Sequence, residues 1–476
     1  MEIIFSFDTE DYIDPVSNDA LLELAQIHSK HGVPGVFGLV GEKARFIHFC
    51  GRDDVVEALQ DHEVAYHSDH HFILPNPRYA PRHMPAWVAE MPWDAAMDRL
   101  LAEESRGLAD IEDLFGERPV TQLRNYGDWA PQVMAAQARL GVAVHAYGPV
   151  FHNTDPEPVW YCNQLQIANP RHMYENYLHD FTLSPQEKLE RHIADIRTHL
   201  EQGTPRLGWV THPTRFIADT WWEEPNWWGH CDDPPRAQWR APERFDEETT
   251  AELLTIADGV VGFAAQHEEI VPRTFREFAE EYRQTRVWVT DAELRGLAKR
   301  IGERPAMVNY ANETFSPAEL FGLFAHALGA PEGGAASERS PLRRILGPTE
   351  EPWETTPGEI SRAALVEAAR EAEHFIRDHG RVPHRVRVGS TQLGPGALLV
   401  AMAAAIREPD AERVAIIAAP NLPKEYREGH YATIENGGWP MGYIQFQGRR
   451  DEYDQAPIRR QAMLQYWTFK TATKTR

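Results

Sequence analysis

The chain has 476 residues, more than one ordinary domain holds, so two or three domains are expected. Hydrophobic residues at 42% and charged residues at 25% give the balance of a folded globular protein and exclude general disorder. The formal charge of -24, from 72 acids against 48 Lys and Arg, excludes broad binding to a phosphate backbone, so no nucleic-acid partner is expected.

Three cysteines, Cys50, Cys162 and Cys231, are far apart and odd in number, which is no disulfide framework and fits a reducing compartment. The opening run Met1-Glu2-Ile3-Ile4-Phe5-Ser6-Phe7-Asp8 shows neither a basic start nor the apolar stretch of an export signal. No apolar run approaches the roughly 18 residues of a membrane span. The expectation is a cytoplasmic protein with no membrane partner.

In chain order, residues 3–7 read as a buried strand. Residues 19–31 read as a helix, with Leu21, Leu22, Leu24, Ala25 and Ile27 at helical spacing and Gly32 as its stop. Strands follow at 33–40, 63–66, 120–123, 142–147 and 207–211. Helices are expected at 53–60, 93–115, 131–140, 185–202, 247–266 and 273–283. This alternation implies parallel strands with helical crossovers, either a barrel or an open sheet.

After about residue 285 strand signals thin and an internal repeat appears. An offset of about 78 residues aligns Pro305 with Pro383, Val308 with Val386, Pro317 with Pro395, Leu320 with Leu398 and Leu328 with Ile406. Each copy reads as helix, glycine, proline turn, short extended segment and a second helix opened by Pro. Residues 329–359 between the copies, rich in Gly, Pro, Ser and Glu, read as a flexible linker. The expected division is 1–285, 286–410 with repeats at 291–328 and 364–407, and a C-terminal extension over 411–476.

Polar residues at three strand ends carry the chemistry. They are Asp8-Thr9-Glu10-Asp11 after the first strand, His67-Ser68-Asp69-His70-His71 after the strand at 63–66, and His212-Pro213 after the strand at 207–211. In parallel α/β folds such strand ends converge on one site. His67 and His71 lie four apart, so on a helical turn both imidazoles face one side. With a carboxylate they form a three-ligand set that leaves room for water and substrate, as a catalytic metal requires. On an extended strand end residues 8 and 10 share a side and 11 points away, which favours Glu10 over Asp11 as the acidic ligand. Both remain candidates at this level.

With these motifs the first 285 residues resemble the NodB-type polysaccharide deacetylases, carbohydrate esterase family 4. The resemblance lies in His67-Ser68-x-x-His71 with its lead-in Asp61-His62-Glu63-Val64-Ala65-Tyr66. It extends to the strand segment at 31–42 and to Leu123-Arg124-Asn125-Tyr126-Gly127-Asp128-Trp129. It implies a distorted (β/α) barrel and a metal-dependent hydrolase that removes N-acetyl groups from sugars. Residue by residue it implies Asp8 as base, Glu10, His67 and His71 as ligands of a divalent metal, expected to be Zn2+, and His212 as general acid. It further implies Arg124 as the arginine beside the base and Tyr126 as an oxyanion donor through its backbone N–H.

Trp221, Trp222, Trp227 and Trp228 follow His212 closely and read as an aromatic lip on which a sugar ring stacks. A carbohydrate or a small amide is therefore the expected partner. The C-terminal copies resemble pseudomurein-binding repeats through residues 365–377, His379-Gly380-Arg381-Val382-Pro383, Val386, Val388, Leu393 and Leu398. That resemblance implies binding to cell-wall polymer. The residues themselves read as a smaller, mainly helical domain that packs within the chain or joins copies into a homo-oligomer.

Overall fold

The structure, a computed structural model, describes residues 1–71, 88, 90–123, 130–146, 157–167, 171–173, 175–226, 235–329, 339–389, 391–426 and 456–475. Two compact units emerge. The first draws on Met1–Pro156 and Gln166–Glu280, the second on Glu157–Leu165, Glu281–Ala432 and Gln455–Arg476. No helix among the described residues is long and apolar enough to cross a membrane.

The first unit alternates strands and helices: β1 (Glu2–Thr9), α1 (Ser17–His31), β2 (Gly35–Leu39), α2 (Gly41–Phe49), α3 (Asp53–Leu59) and β3 (Glu63–Tyr66). It continues with α4 (Trp93–Phe115), β4 (Thr121–Leu123), α5 (Pro131–Arg139) and β5 (Val144–Ala146). β6 (Val159–Tyr161) and the start of β7 (Gln164–Ile167) belong to the second unit, and the first resumes with β8 (Arg171–Met173), α6 (Glu175–Leu178), α7 (Pro185–Glu201) and β9 (Arg206–Thr211). The unit closes with α8 (Glu247–Gln266), β10 (Val271–Pro272) and α9 (Phe275–Glu281).

Its strands run in the order β5-β4-β3-β2-β1-β9-β8, with β10 added on β1, and the pairings between them are parallel. The helices cross over between these strands, as a parallel sheet demands. The sheet runs on past β5 to β7, and among the described residues β8 pairs with β9 alone, so the barrel is open, the distorted (β/α) type that the resemblance implies. β1 lies between β2 and β9 and is buried from Ile3 onward, which explains its near-continuous apolar sequence. Helix α1 turns Leu21, Leu24, Ala25 and His28 inward and ends where Gly32 takes φ 63°, a left-handed stop that glycine adopts freely.

Helix α2 was not expected. Its inward positions are Gly41, Lys43, Ala44 and Ile47, and only two of these are strongly apolar, so periodicity does not reveal it.

In the second unit the repeat is structural. The first copy runs β11 (Trp288–Thr290), α10 (Asp291–Ala298), β12 (Val308–Tyr310), β13 (Glu313–Phe315), α11 (Pro317–Gly329) and β14 (Arg339–Pro341). The second runs β15 (Gly358–Ser361), α12 (Arg362–His379), β16 (Val386–Val388), β17 (Thr391–Leu393), α13 (Pro395–Arg407) and β18 (Arg413–Ile416). In each copy the two middle strands form an antiparallel hairpin and the outer strands pair with each other. The sequence reading of one short extended segment per copy is thus corrected to a hairpin plus a pair of flanking strands. Three-residue strands carry too little alternation to be seen. Thr290 and Ser361 cap the first helix of their copies.

The flexible-linker expectation is corrected for residues 339–358. Ile345 is buried in the repeat core, Leu346 N–H donates to Gly380 O at 2.9 Å, and Gly347 N–H donates to Gln465 Oε1 at 2.9 Å. Residues 157–165 and 456–475 complete this unit. β19 (Lys470–Thr471) pairs antiparallel with β6, the Tyr161 hydroxyl donates to Ala462 O at 2.8 Å, and α14 (Ala456–Leu464) precedes β19.

Candidate active site

Strand register builds the site. Phe7 pairs with Thr211 and Asp8 with Gly38. Thr9 pairs with Leu39, and Leu39 with Tyr66. The next residues along each strand are therefore side by side at the carboxyl edge of β9-β1-β2-β3: His212, Asp8, Glu10 and His67. Gly38 presents no side chain at this level, and a Cβ there would meet the Leu123 side chain at 2.6 Å. Leu123 thus packs close, and its carbonyl oxygen lies 3.0 Å from His67 Nδ1.

Glu10 Oε2 lies 3.1 Å from His67 Nε2 and 2.7 Å from His71 Nε2. Potential ligand atoms of Glu10, His67 and His71 all fall within 4.8 Å of one another, and all three residues are buried. Asp8 Oδ2 is 3.6 Å from His212 Nε2, and Asp8 Oδ1 is 3.8 Å from His67 Nδ1. His212 Nε2 is also 3.7 Å from Glu10 Oε1.

Glu10, and not Asp11, joins the histidines. Asp11 turns away, and its Oδ1 accepts from the N–H groups of Ile13 at 2.8 Å and Asp14 at 3.0 Å. Burial lifts its pKa to about 6 against the pull of Lys43.

The helical-turn expectation for residues 67–71 is corrected. Ser68 and His71 have φ of 71° and 60°, so a tight non-helical loop brings the rings together, stacked 5.4 Å apart at 23°. The start of α2 imposes this path, because Gly41 N–H donates to Ser68 O at 3.0 Å and Glu42 N–H to Asp69 O at 2.8 Å. Asp69 has no exposed surface. Arg45 Nη2 donates to it at 2.8 Å and Arg106 Nε at 3.1 Å, a pairing a buried carboxylate needs.

The donor set fits a divalent cation. Burial opposes charge on Glu10, but His71 and His67 hold its carboxyl well below the usual carboxylate range. Burial likewise opposes charge on His71, but Glu10 and Glu223 outweigh it and lift its pKa to about 10. The site therefore calls for positive charge between one carboxylate and two imidazoles. A metal ion supplies that charge and displaces the proton. One carboxylate and two imidazoles suit zinc among common divalent metals.

Trp222 does not form part of an exposed lip. It is fully buried, and its indole N–H, which needs an acceptor when buried, donates to Glu10 Oε1 at 2.9 Å. Trp221 is half-buried and meets His212 edge-on at 4.6 Å and 83°, with the Arg215 guanidinium 4.9 Å from its own ring. Arg124, Tyr126, Trp227 and Trp228 lie outside the described residues.

Sequence reasoning missed Glu223, which is buried with Oε1 3.3 Å from His71 Nδ1. In Trp221-Trp222-Glu223-Glu224 nothing marks which acid turns inward. Asp69 was also passed over, since a charged residue between two histidines reads as solvated loop.

No family model matches the chain, and no curated protein matches it. Among solved structures it is similar to a peptidoglycan deacetylase from Bacillus subtilis, at 13% identity over 58% of this chain and 89% of that one, with a TM-score of 0.30. It is similar to a family 4 carbohydrate esterase from Streptomyces lividans in complex with acetate, at 15% identity, 55% and 88% coverage and a TM-score of 0.29. A CE4 family pseudoenzyme from Bacillus anthracis is similar at 14% identity, 44% and 54% coverage and a TM-score of 0.27. With TM-scores this low, the fold rests on the strand order and parallel pairing of the chain itself.

Proposed function

We propose that the chain is a metal-dependent hydrolase that removes an N-acyl group, taken to be N-acetyl, from an amino sugar or glycoconjugate. The observation that carries this reading is the meeting of Asp8, Glu10, His67, His71 and His212 at one strand edge, buried together. Glu10, His67 and His71 would hold the metal. When bound, it supplies Lewis acidity toward the scissile carbonyl and toward the attacking water. Asp8 takes the proton of that water. His212, 3.6 Å from Asp8, gives a proton to the departing amine. Trp221 beside His212 supplies an apolar face to the substrate. On the family resemblance, Arg124 is proposed as the arginine that orients the base Asp8, and the Tyr126 backbone N–H to meet the oxyanion.

Hydrolysis of a small linear or cyclic amide is a second reading. The burial of Trp222 favours it, because it removes one of the four tryptophans at 221–228 from stacking on a sugar.

The test is a screen of zinc-loaded protein for acetate and amine release from N-acetylated sugars and from cyclic amides, beside Asp8→Ala and His67→Ala. Each variant is expected to lose at least about 100-fold in kcat/KM. Undiminished turnover in either variant overturns the assignment.

A further inference from the structure

We propose that the turn carrying Trp222 and Glu223 positions two of the three ligand side chains, with Glu223 fixing the orientation and tautomer of His71. This rests on the metal-dependent reading above and extends it to residues beyond the ligands and the acid–base pair. The ligand carboxylate has two oxygens with separate tasks. Trp222 Nε1–H donates to Glu10 Oε1 at 2.9 Å, while Oε2 faces both imidazoles at 3.1 and 2.7 Å. The indole thus fixes which oxygen turns to the site.

Each histidine needs its distal nitrogen held so that Nε2 presents a lone pair. For His67 the Leu123 carbonyl does this at 3.0 Å. For His71, Glu223 is in reach, with Oε1 3.3 Å from Nδ1. A carboxylate placed there draws the proton to Nδ1 and makes Nε2 a stronger donor to a cation. Glu223 is 1% exposed, and burying a carboxylate is costly unless a positive partner answers it.

The turn is rigid. Asn226 Nδ2 donates to Arg240 O at 2.9 Å and Arg240 N–H donates to Asn226 Oδ1 at 2.9 Å. Asn226 N–H also closes onto Glu223 O at 3.0 Å. The Trp222 ring lies edge-on to His71 at 5.9 Å and packs on Tyr12 at 4.9 Å. An exposed sugar platform has no use for these ties, whereas a support for ligand side chains depends on them.

The experiment measures Zn2+ affinity by competition with a chelator, and the visible spectrum of the Co2+ form, in the full-length protein and in Glu223→Ala, Glu223→Gln, Trp222→Phe and His71→Ala. Glu223→Ala is expected to bind Zn2+ about 10- to 100-fold more weakly, the usual effect of losing such a partner. Glu223→Gln, which keeps an oxygen in reach of Nδ1, is expected to recover part of the loss. Trp222→Phe is expected to weaken binding and to change the Co2+ spectrum, with the far-UV circular dichroism unaltered. Wild-type affinity and spectrum in both Glu223→Ala and Trp222→Phe, with His71→Ala deficient, overturn the positioning role and leave the metal site standing. A wild-type protein that takes up neither Zn2+ nor Co2+ overturns the metal-dependent reading and this inference with it.

Discussion

Glu104 lies on α4 with no exposed surface, and the Tyr66 hydroxyl donates to its Oε2 at 2.7 Å. Burial is the main reason its pKa rises to about 8, and the Asp69 charge adds to it against the Tyr66 hydrogen bond. Between its ordinary 4.5 and about 8 the folded protein keeps a proton that the unfolded chain has lost. Stability therefore falls as pH rises through that window. Glu104→Gln is close in shape and cannot ionise, so it lacks this slope. Denaturant titration of both proteins at pH ~5 and ~8 is expected to show the variant gaining on wild type by on the order of a few kcal/mol. A stability difference that does not change with pH would mean that Glu104 is already ionised in the folded state.

Elements with a strong local signal are legible in the sequence. β3 and α4 fall where spacing and stop residues put them, because Val64-Ala65-Tyr66 is a compact run with little charge and Phe115 is followed by Gly116 in a left-handed cap. The acid pair also follows from pleating: Glu10 turns in and Asp11 away. What escapes reading is shape imposed from a distance. The loop from His67 to His71 is bent by N–H groups of α2 and by arginines on α2 and α4, so its four-residue spacing suggests a helix that does not form. Trp222 reads as a lip because sequence cannot show that its indole meets Glu10.

Gly107 shows the same dependence on packing. In the interior of α4, Gly→Ala ordinarily stabilises by about 1 kcal/mol. Here an added Cβ would come within 2.9 Å of both the Asp69 Cα and the Tyr66 hydroxyl, so α4 or the histidine loop must shift. Gly107→Ala is therefore expected to lose about 1–3 kcal/mol in thermal or denaturant unfolding, and to bind Zn2+ more weakly as the loop moves. A stabilised variant would show that the helix and loop are not in close contact.

At the scale of the molecule, the two units carry separate apolar cores. One gathers Phe5, Phe7, Phe37, Trp209 and Val260, the other Phe321, Phe324, Ala369, Leu398 and Trp467, and Glu10, His67 and His71 all belong to the first unit. A ligand that binds only the folded first unit stabilises that unit by mass action, by about 2.7 kcal/mol at a hundred times its Kd. Leu398 is fully buried in the second core, and Leu398→Ala should cost about 2–5 kcal/mol there. Scanning calorimetry of the full chain is expected to resolve two transitions. Zn2+ raises one and leaves the other in place, while Leu398→Ala lowers the one that Zn2+ does not move. A single transition that answers equally to metal and to Leu398→Ala would show that the units unfold as one cooperative body.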